Sequence, residues 1–381
     1  MDSNNYPKLE ISEENLRYNI RHFRSKLKPG TKLLVLVKAN AYGAGAVEIS
    51  RMIKDMGVEY LAVAFANKGV DLRFAGIDLP ILVLTWARES VEEIVRFRLE
   101  PGVTDIHSYK VLHDYLAAQG IHNYPVHIKL DTGMHRVGFM EKDIPELLEN
   151  LRKDDYISVK SIYSHLAGAD EERFDEFTLS QAALFERLSN KVASGLGHMP
   201  MRHLLNTAGV ERFAEKYPQY QYDMVRLGIG AYGAVTMPGE DVRPVSSLKT
   251  EVLQVKHLEA GDGTVGYSRN GKILRNSDIA TIPLGYADGI DRRLGNGAAS
   301  FLVKGHRAPT IGNICMDAFM LDVTGLGVKP GDEVTIFGEE PRVEELSEIL
   351  GTIPYEILAH VSSRVNRVVI KQLDDLSTSV I

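Results

Sequence analysis

At 381 residues the chain is too long for one average domain and about right for two, and its 44% hydrophobic residues can form a sizeable core. A formal net charge of −7, with no block of Lys or Arg, argues against nucleic acid and anionic membrane as partners. One cysteine, Cys315, excludes an intramolecular disulfide and fits a reducing compartment. No apolar stretch approaches the ~20 residues of a membrane span. The polar, acidic start lacks a secretory signal, so a cytoplasmic protein is expected.

Ser12 is placed to cap an amphipathic helix through SEENLRYNIRHFRSKL. Eight short, nearly all-apolar runs follow, at residues 33–39, 60–65, 81–85, 102–106, 126–132, 157–166, 203–207 and 224–229. Helical patterns such as VLHDYLAAQ and FTLSQAALFERLSNKVA alternate with them. Strands of this kind are buried on both faces, as in a parallel sheet. Eight in this order predict a TIM-type (β/α)8 barrel. An open doubly wound sheet competes, weakened by the lack of a G-x-G-x-x-G after an early strand. The pattern changes near residues 238–250. From there the chain reads as strands joined by Gly-containing turns, with short helices at VEELSEIL and YEILAHVSSRV. The expected division is a barrel over 1–240 and a mostly β domain over 241–381, with the first residues open to joining the second domain.

In such barrels the C-terminal ends of the strands hold the active site. That rim would collect Lys38, Lys129, Arg136, His165, Asn206, Thr207, Arg226 and Gly228. Singly, each charge reads as a solvated rim residue. Together they form a cationic, donor-rich face suited to an anionic ligand such as a phosphate. Lys38 is the most informative, because an amine behind LLVLV is partly desolvated. Desolvation lowers a lysine pKa and makes it a candidate nucleophile or Schiff-base former. The 12 histidines are scattered without HxH or HExxH spacing, which weighs against a metal-dependent hydrolase.

VKANAYGAG resembles the cofactor-lysine motif of alanine racemases, a fold-type III pyridoxal-phosphate family. The likeness continues through KLDTGMHRVGF, SHLAGAD, NTAG, VRLGIGAYG, VGYSRN, PLGYADGI, NICMDAFMLDV and TIPYE. It implies a barrel, a C-terminal β domain, pyridoxal 5'-phosphate as cofactor, and a homodimer with two shared active sites. It also implies racemisation of L-alanine to D-alanine for cell-wall peptidoglycan. By the resemblance, Lys38 carries the cofactor, and Tyr267 reaches in from the other subunit as second acid/base. Arg226 bonds the pyridine nitrogen, and His165 stands between Arg226 and Tyr267 in a relay. Arg136 contacts the cofactor's phenolic oxygen and the substrate carboxylate, and Lys129 is a carbamate that holds Arg136. Tyr42, Thr207, Gly228, Ile229 and Tyr355 bind the phosphate, with Asn206 close by. Met316 from the partner subunit offers a backbone N–H to the substrate carboxylate, and Tyr286 and Arg292 line the substrate's access channel.

Three positions depart from the family pattern. Ala44 replaces the His of YGHG, His135 replaces a small residue, and Asn313 replaces an Arg of the access channel. They leave the core machinery in place and open substrate breadth, so serine or a longer amino acid competes with alanine. A non-catalytic pyridoxal-phosphate carrier would need no second base on a β domain. A fold-type III decarboxylase of basic amino acids carries a Cys-Asp pair, where this chain reads Cys315-Met316-Asp317.

Overall fold

A computed structural model describes residues 7–235 and 239–371. Strand β1 (Lys8–Ser12) leads into helix α1 (Glu13–Ser25). The Ser12 side chain accepts from Asn15 N at 3.1 Å and fixes the helix start. Leu16, Ile20 and Phe23 form the buried stripe of α1, at the spacing one helix face requires.

Eight strands follow: β2 (Lys32–Leu36), β3 (Tyr60–Val63), β4 (Ile81–Val83), β5 (Glu100–Val103), β6 (Tyr124–Lys129), β7 (Ile157–Tyr163), β8 (Met201–His203) and β9 (Met224–Leu227). They pair in parallel in chain order. β9 closes on β2, from Lys32 opposite Met224 to Val35 opposite Leu227, which makes the TIM-type barrel. The period of two explains the all-apolar runs. Leu34, Tyr60, Ala62, Leu82 and Met224 cluster together, while the alternate Leu33, Val35, Leu61 and Val63 join the larger core.

The second domain is mostly β. Its strands are β10 (Ser246–Glu251), β11 (Gln254–Leu258), β12 (Thr264–Val265), β13 (Gly271–Lys272), β14 (Ser277–Ile282), β15 (Ser300–Val303), β16 (His306–Pro309), β17 (Phe319–Asp322), β18 (Glu333–Phe337) and β19 (Asn366–Ile370). A six-stranded sheet runs β16-β15-β18-β10-β1-β19, so the N-terminal strand pairs here rather than in the barrel. Among the described residues no helix is long and apolar enough to cross a membrane.

Some runs overshoot their strands. The 102–106 run ends as strand at Val103, because Asp105 caps the next helix by accepting from Ser108 N at 2.6 Å. The helix expected through YEILAHVSSRV stops at His360. β19 is not foreseen, because its residues alternate only between half-buried and exposed and show no apolar face.

The two domains meet at Gly43. Its φ is +81°, and a Cβ there would overlap the Leu358 carbonyl oxygen. Arg367 Nε, on β19, donates to the Gly43 carbonyl at 3.0 Å. Gly43→Ala is expected to destabilise the fold by more than the roughly 1–2 kcal/mol that a left-handed backbone alone costs an L-residue. A smaller loss in urea unfolding would show that this joint yields.

Candidate active site

The turn after β2 is left-handed. Ala39, Asn40, Ala41 and Tyr42 have φ of 50°, 54°, 54° and 52°. Ala41 N donates to Val37 O at 3.0 Å, Gly43 N to Ala39 O at 3.0 Å, and Gly45 N to Asn40 O at 2.9 Å. Such a turn costs an L-residue roughly 1–2 kcal/mol at each position, and it persists only where the surroundings over-determine it. The Tyr42 ring is held by Tyr232 and Tyr355, at centroid distances of 4.7 and 5.9 Å.

Lys38 and Tyr42 thereby face a cavity of about 320 Å³ at the C-terminal mouth of the barrel. Lys129, Arg136, His165, Asn206, Thr207, Arg226, Gly228 and Tyr355 line it too. Leu36, Ala64, Leu84 and Val137 give it an apolar wall, and Ile229 is buried next to Gly228. Two lysines and two arginines face this space, and among the described residues no carboxylate lines it. Tyr267, Tyr286, Arg292 and Met316 are not brought to this cavity. They lie exposed on the second domain, Tyr267 at 70% and Met316 at 54%.

Burial and the Arg136 charge lower the Lys38 pKa. Burial, then Arg226 and Arg136, push Lys129 well below the usual lysine range. Lys129 Nζ sits 5.1 Å from the Tyr163 ring centroid and has no ion pair among the described residues. Burial brings Arg226 down to about 10, so its guanidinium stays charged at neutral pH. His165 and His203 are pushed well below the usual histidine range, by burial first and then by Arg226, and are neutral.

Two family models cover almost all of this architecture. The alanine racemase N-terminal domain matches residues 11–236, and the alanine racemase C-terminal domain matches residues 245–369. The chain belongs to the alanine racemase family. It is 38% identical to an alanine racemase of Clostridium kluyveri, across 95% of this chain and 93% of that one. It is 35% identical to alanine racemase 1 of Clostridium acetobutylicum, across 95% of each. A solved alanine racemase of Clostridium difficile 630 aligns with a TM-score of 0.89 and 33% identity, over 97% of each chain. The chain is an enzyme of the isomerase class.

Within this alanine racemase fold, Arg226 anchors a polar thread that sequence reasoning misses. Nη1 donates to His203 Nδ1 at 3.1 Å and to His203 O at 3.0 Å. Nη2 donates to Ser164 O at 2.7 Å and Leu204 O at 2.9 Å, and lies 3.3 Å from His165 Nδ1. A guanidinium can only donate. His203 Nδ1 therefore accepts, and the ring's single proton is on Nε2, 2.8 Å from Ser161 Oγ. The Ser161 proton then goes to His127 Nδ1 at 2.6 Å, and His127 Nε2 donates to Glu100 Oε2 at 2.8 Å. Burial works against the Glu100 carboxylate, but the bonds from His127 and Lys160 outweigh it and hold the carboxyl below its usual range. The available signal was polar residues inside apolar runs: His127 in VHIKLDT, Ser161 in ISVKSIYSHL and His203 in HLLNT. Ser161→Ala would orphan a donor on His203 and an acceptor on His127. It is expected to cost about 1–3 kcal/mol for each group left unpaired. A urea denaturation curve matching the parent's would show that the thread does not stabilise the barrel.

Proposed function

We propose that the chain racemises alanine, with pyridoxal 5'-phosphate held in the barrel cavity and Lys38 and Tyr267 acting as two bases. The charge of the cavity carries this reading. Arg226 is buried, Lys38 half-buried and Arg136 exposed at the mouth, and among the described residues no carboxylate lines the space these cations share; like charges crowded together favour an anion between them. A phosphate supplies the missing negative charge. The fit is also steric: a Cβ at Gly228 would come 2.7 Å from Tyr42 Oη, so glycine leaves a cradle that any other residue would fill. Tyr42, Thr207, Gly228, Ile229 and Tyr355 would hold the phosphate, with Asn206 alongside. Arg226 would hold the ring nitrogen, and Lys38 would anchor the cofactor covalently. Bound there, the cofactor supplies carbanion stabilisation at the substrate's α-carbon.

The chain's own groups do the rest. Racemisation takes a proton from one face of the α-carbon and returns one to the other, so two bases must flank it. Lys38, with its lowered pKa, is suited to move a proton near neutral pH. Tyr267 would come from a second copy of the chain. A free phenol ionises near pH 10, so a tyrosine base needs cations and donors around it, and the His165–Arg226 pair offers them. Arg136 and the Met316 backbone N–H would receive the substrate carboxylate, and Tyr286 and Arg292 would line its path. Lys129, an amine beside two guanidinium groups, would add carbon dioxide with release of a proton. The resulting carbamate anion would hold Arg136.

A homodimer fits the exposed apolar side chains. Phe65, Val137, Met140, Phe174 and Phe177 follow barrel strands at the mouth, and Tyr267, Tyr286 and Met316 lie on the second domain. Seating each second domain on the other copy's barrel mouth would cover both sets. We assign the reaction to the cytoplasm and its D-alanine to cell-wall peptidoglycan.

With pyridoxal phosphate and L-alanine, optical rotation is expected to decay to zero while alanine stays chemically intact. No decay in a cofactor-loaded protein would refute alanine as substrate. In Lys38→Ala, borohydride is expected to fix no cofactor to the chain; fixation at the wild-type level would assign the attachment to another lysine. In Tyr267→Phe, turnover in both directions is expected to fall by about 10²–10⁴ with cofactor still bound. Near-normal turnover would remove Tyr267 from the chemistry. Lys38 loses its proton earlier than a free lysine as pH rises. The rate of cofactor attachment to the emptied enzyme should therefore rise with pH and level off below the ordinary 10.5. Arg136→Leu removes a neighbouring cation and should move that plateau upward, whereas a plateau already at the free-lysine value in the parent would contradict the assignment.

A further inference from the structure

Asn313 is 7% exposed, and its side chain is engaged on both ends. Nδ2 donates to the Tyr267 carbonyl at 3.0 Å. Oδ1 accepts from Asn270 Nδ2 at 3.0 Å and from Asn296 Nδ2 at 2.7 Å. The amide orientation follows from the partners, because the Tyr267 carbonyl can only accept. Beside it, Asn296 N donates to Gly312 O at 3.0 Å. One carboxamide thus ties together three segments: residues 267–270, the turn at Asn296 that follows Arg292, and the stretch that leads to Met316.

The Tyr267 segment needs such a tie. Ser268 and Arg269 hold φ of +59° and +53°, in the region L-residues rarely adopt. The strands on either side, β12 and β13, are only two residues long each. The Tyr267 ring is 70% exposed in the chain, so packing within its own fold contributes little to its placement.

We propose that Asn313 is a positioning residue: it fixes the backbone of Tyr267, and with it the phenol, relative to Met316 and Arg292. The inference rests on the two-base reading above. The position requires a donor and an acceptor on one short side chain. An arginine, which only donates, could not accept from Asn270 and Asn296.

The test compares the cofactor-loaded wild type with Asn313→Asp and Asn313→Ala. Aspartate keeps the acceptors for Asn270 and Asn296 and loses the donor to Tyr267. Circular dichroism and cofactor content are expected to match the wild type, because Asn313 does not line the cavity. kcat is expected to fall by about tenfold to a hundredfold, as small misplacements of a reacting group do, with KM for alanine little changed. The deciding readout is the α-deuterium isotope effect on kcat/KM, measured from each enantiomer. One enantiomer loses its α-proton to Tyr267 and the other to Lys38. A slower Tyr267 transfer raises the effect for the first and suppresses it for the second, whose proton loss becomes reversible before the slow step. Asn296→Ala cuts one tie away from Tyr267 and should give a weaker change of the same asymmetric kind, which serves if the other variants fold poorly. An unchanged aspartate variant, or isotope effects that move alike for both enantiomers, would overturn the proposal. Racemisation that survives intact in Tyr267→Phe overturns the two-base reading itself and takes the proposal with it.

Discussion

The left-handed turn from Ala39 to Tyr42 is the constraint on which the site depends. Four successive L-residues with positive φ represent a strain of about 4–8 kcal/mol at roughly 1–2 kcal/mol each, comparable with the whole net stability of many domains. Local sequence cannot sustain that. The turn is held from outside: Tyr42 packs against Tyr232 of the barrel and Tyr355 of the second domain. Arg367 of the last strand donates to Gly43, and Gly43 itself presses on the helix carrying Leu358. β1 pairs between β10 and β19, so the first and last described strands lie side by side at the same joint. A right-handed continuation after β2 would turn Tyr42 away from Gly228 and open the cradle that the absence of a Cβ creates.

Charge is the second organising element. Arg226 is buried, and its donors meet three carbonyls and two imidazoles. Because it can only donate, it sets the polarity of every bond beyond it, through His203, Ser161 and His127 to Glu100. The thread therefore ends on a carboxylate, Glu100, which lies outside the cavity and pairs with Lys160. This keeps the mouth of the barrel positive. A carboxylate placed beside Arg226 would have neutralised it locally and competed with an anionic ligand.

The barrel was legible because its evidence is repeated. Eight all-apolar runs alternate with helical patterns, and errors of a few residues at strand ends do not change the count. Lys38 was legible as an amine behind LLVLV, and the rim cluster as polar residues following strands. The left-handed turn was not, since Ala39 and Ala41 carry no mark for positive φ; glycine and, less strongly, asparagine do. The interior thread escaped because His127, Ser161 and His203 occupy single positions in runs whose overall signal is apolar. Tyr267 is a different case. Nothing in periodicity relates residue 267 to a site built at residue 38, and only the resemblance to alanine racemases singled it out.

That separation within one chain has a physical logic. On the two-base proposal the two faces of a substrate α-carbon are served by groups that approach from opposite directions, and the barrel mouth lies at the end of one set of strands. A group approaching from above must be carried by something that covers the mouth. In the dimeric reading the cover is the second domain of another copy, and two-fold symmetry makes one contact serve twice: the same patch pair that closes the first site closes the second. The apolar side chains exposed on both surfaces are then buried by the act that completes the chemistry. An isolated chain would keep the cavity, the cations and the left-handed turn, and so could still take up an anionic cofactor. On the two-base, dimeric proposal it would lack the second base, and binding and turnover would therefore separate on dilution below the dimer's dissociation constant.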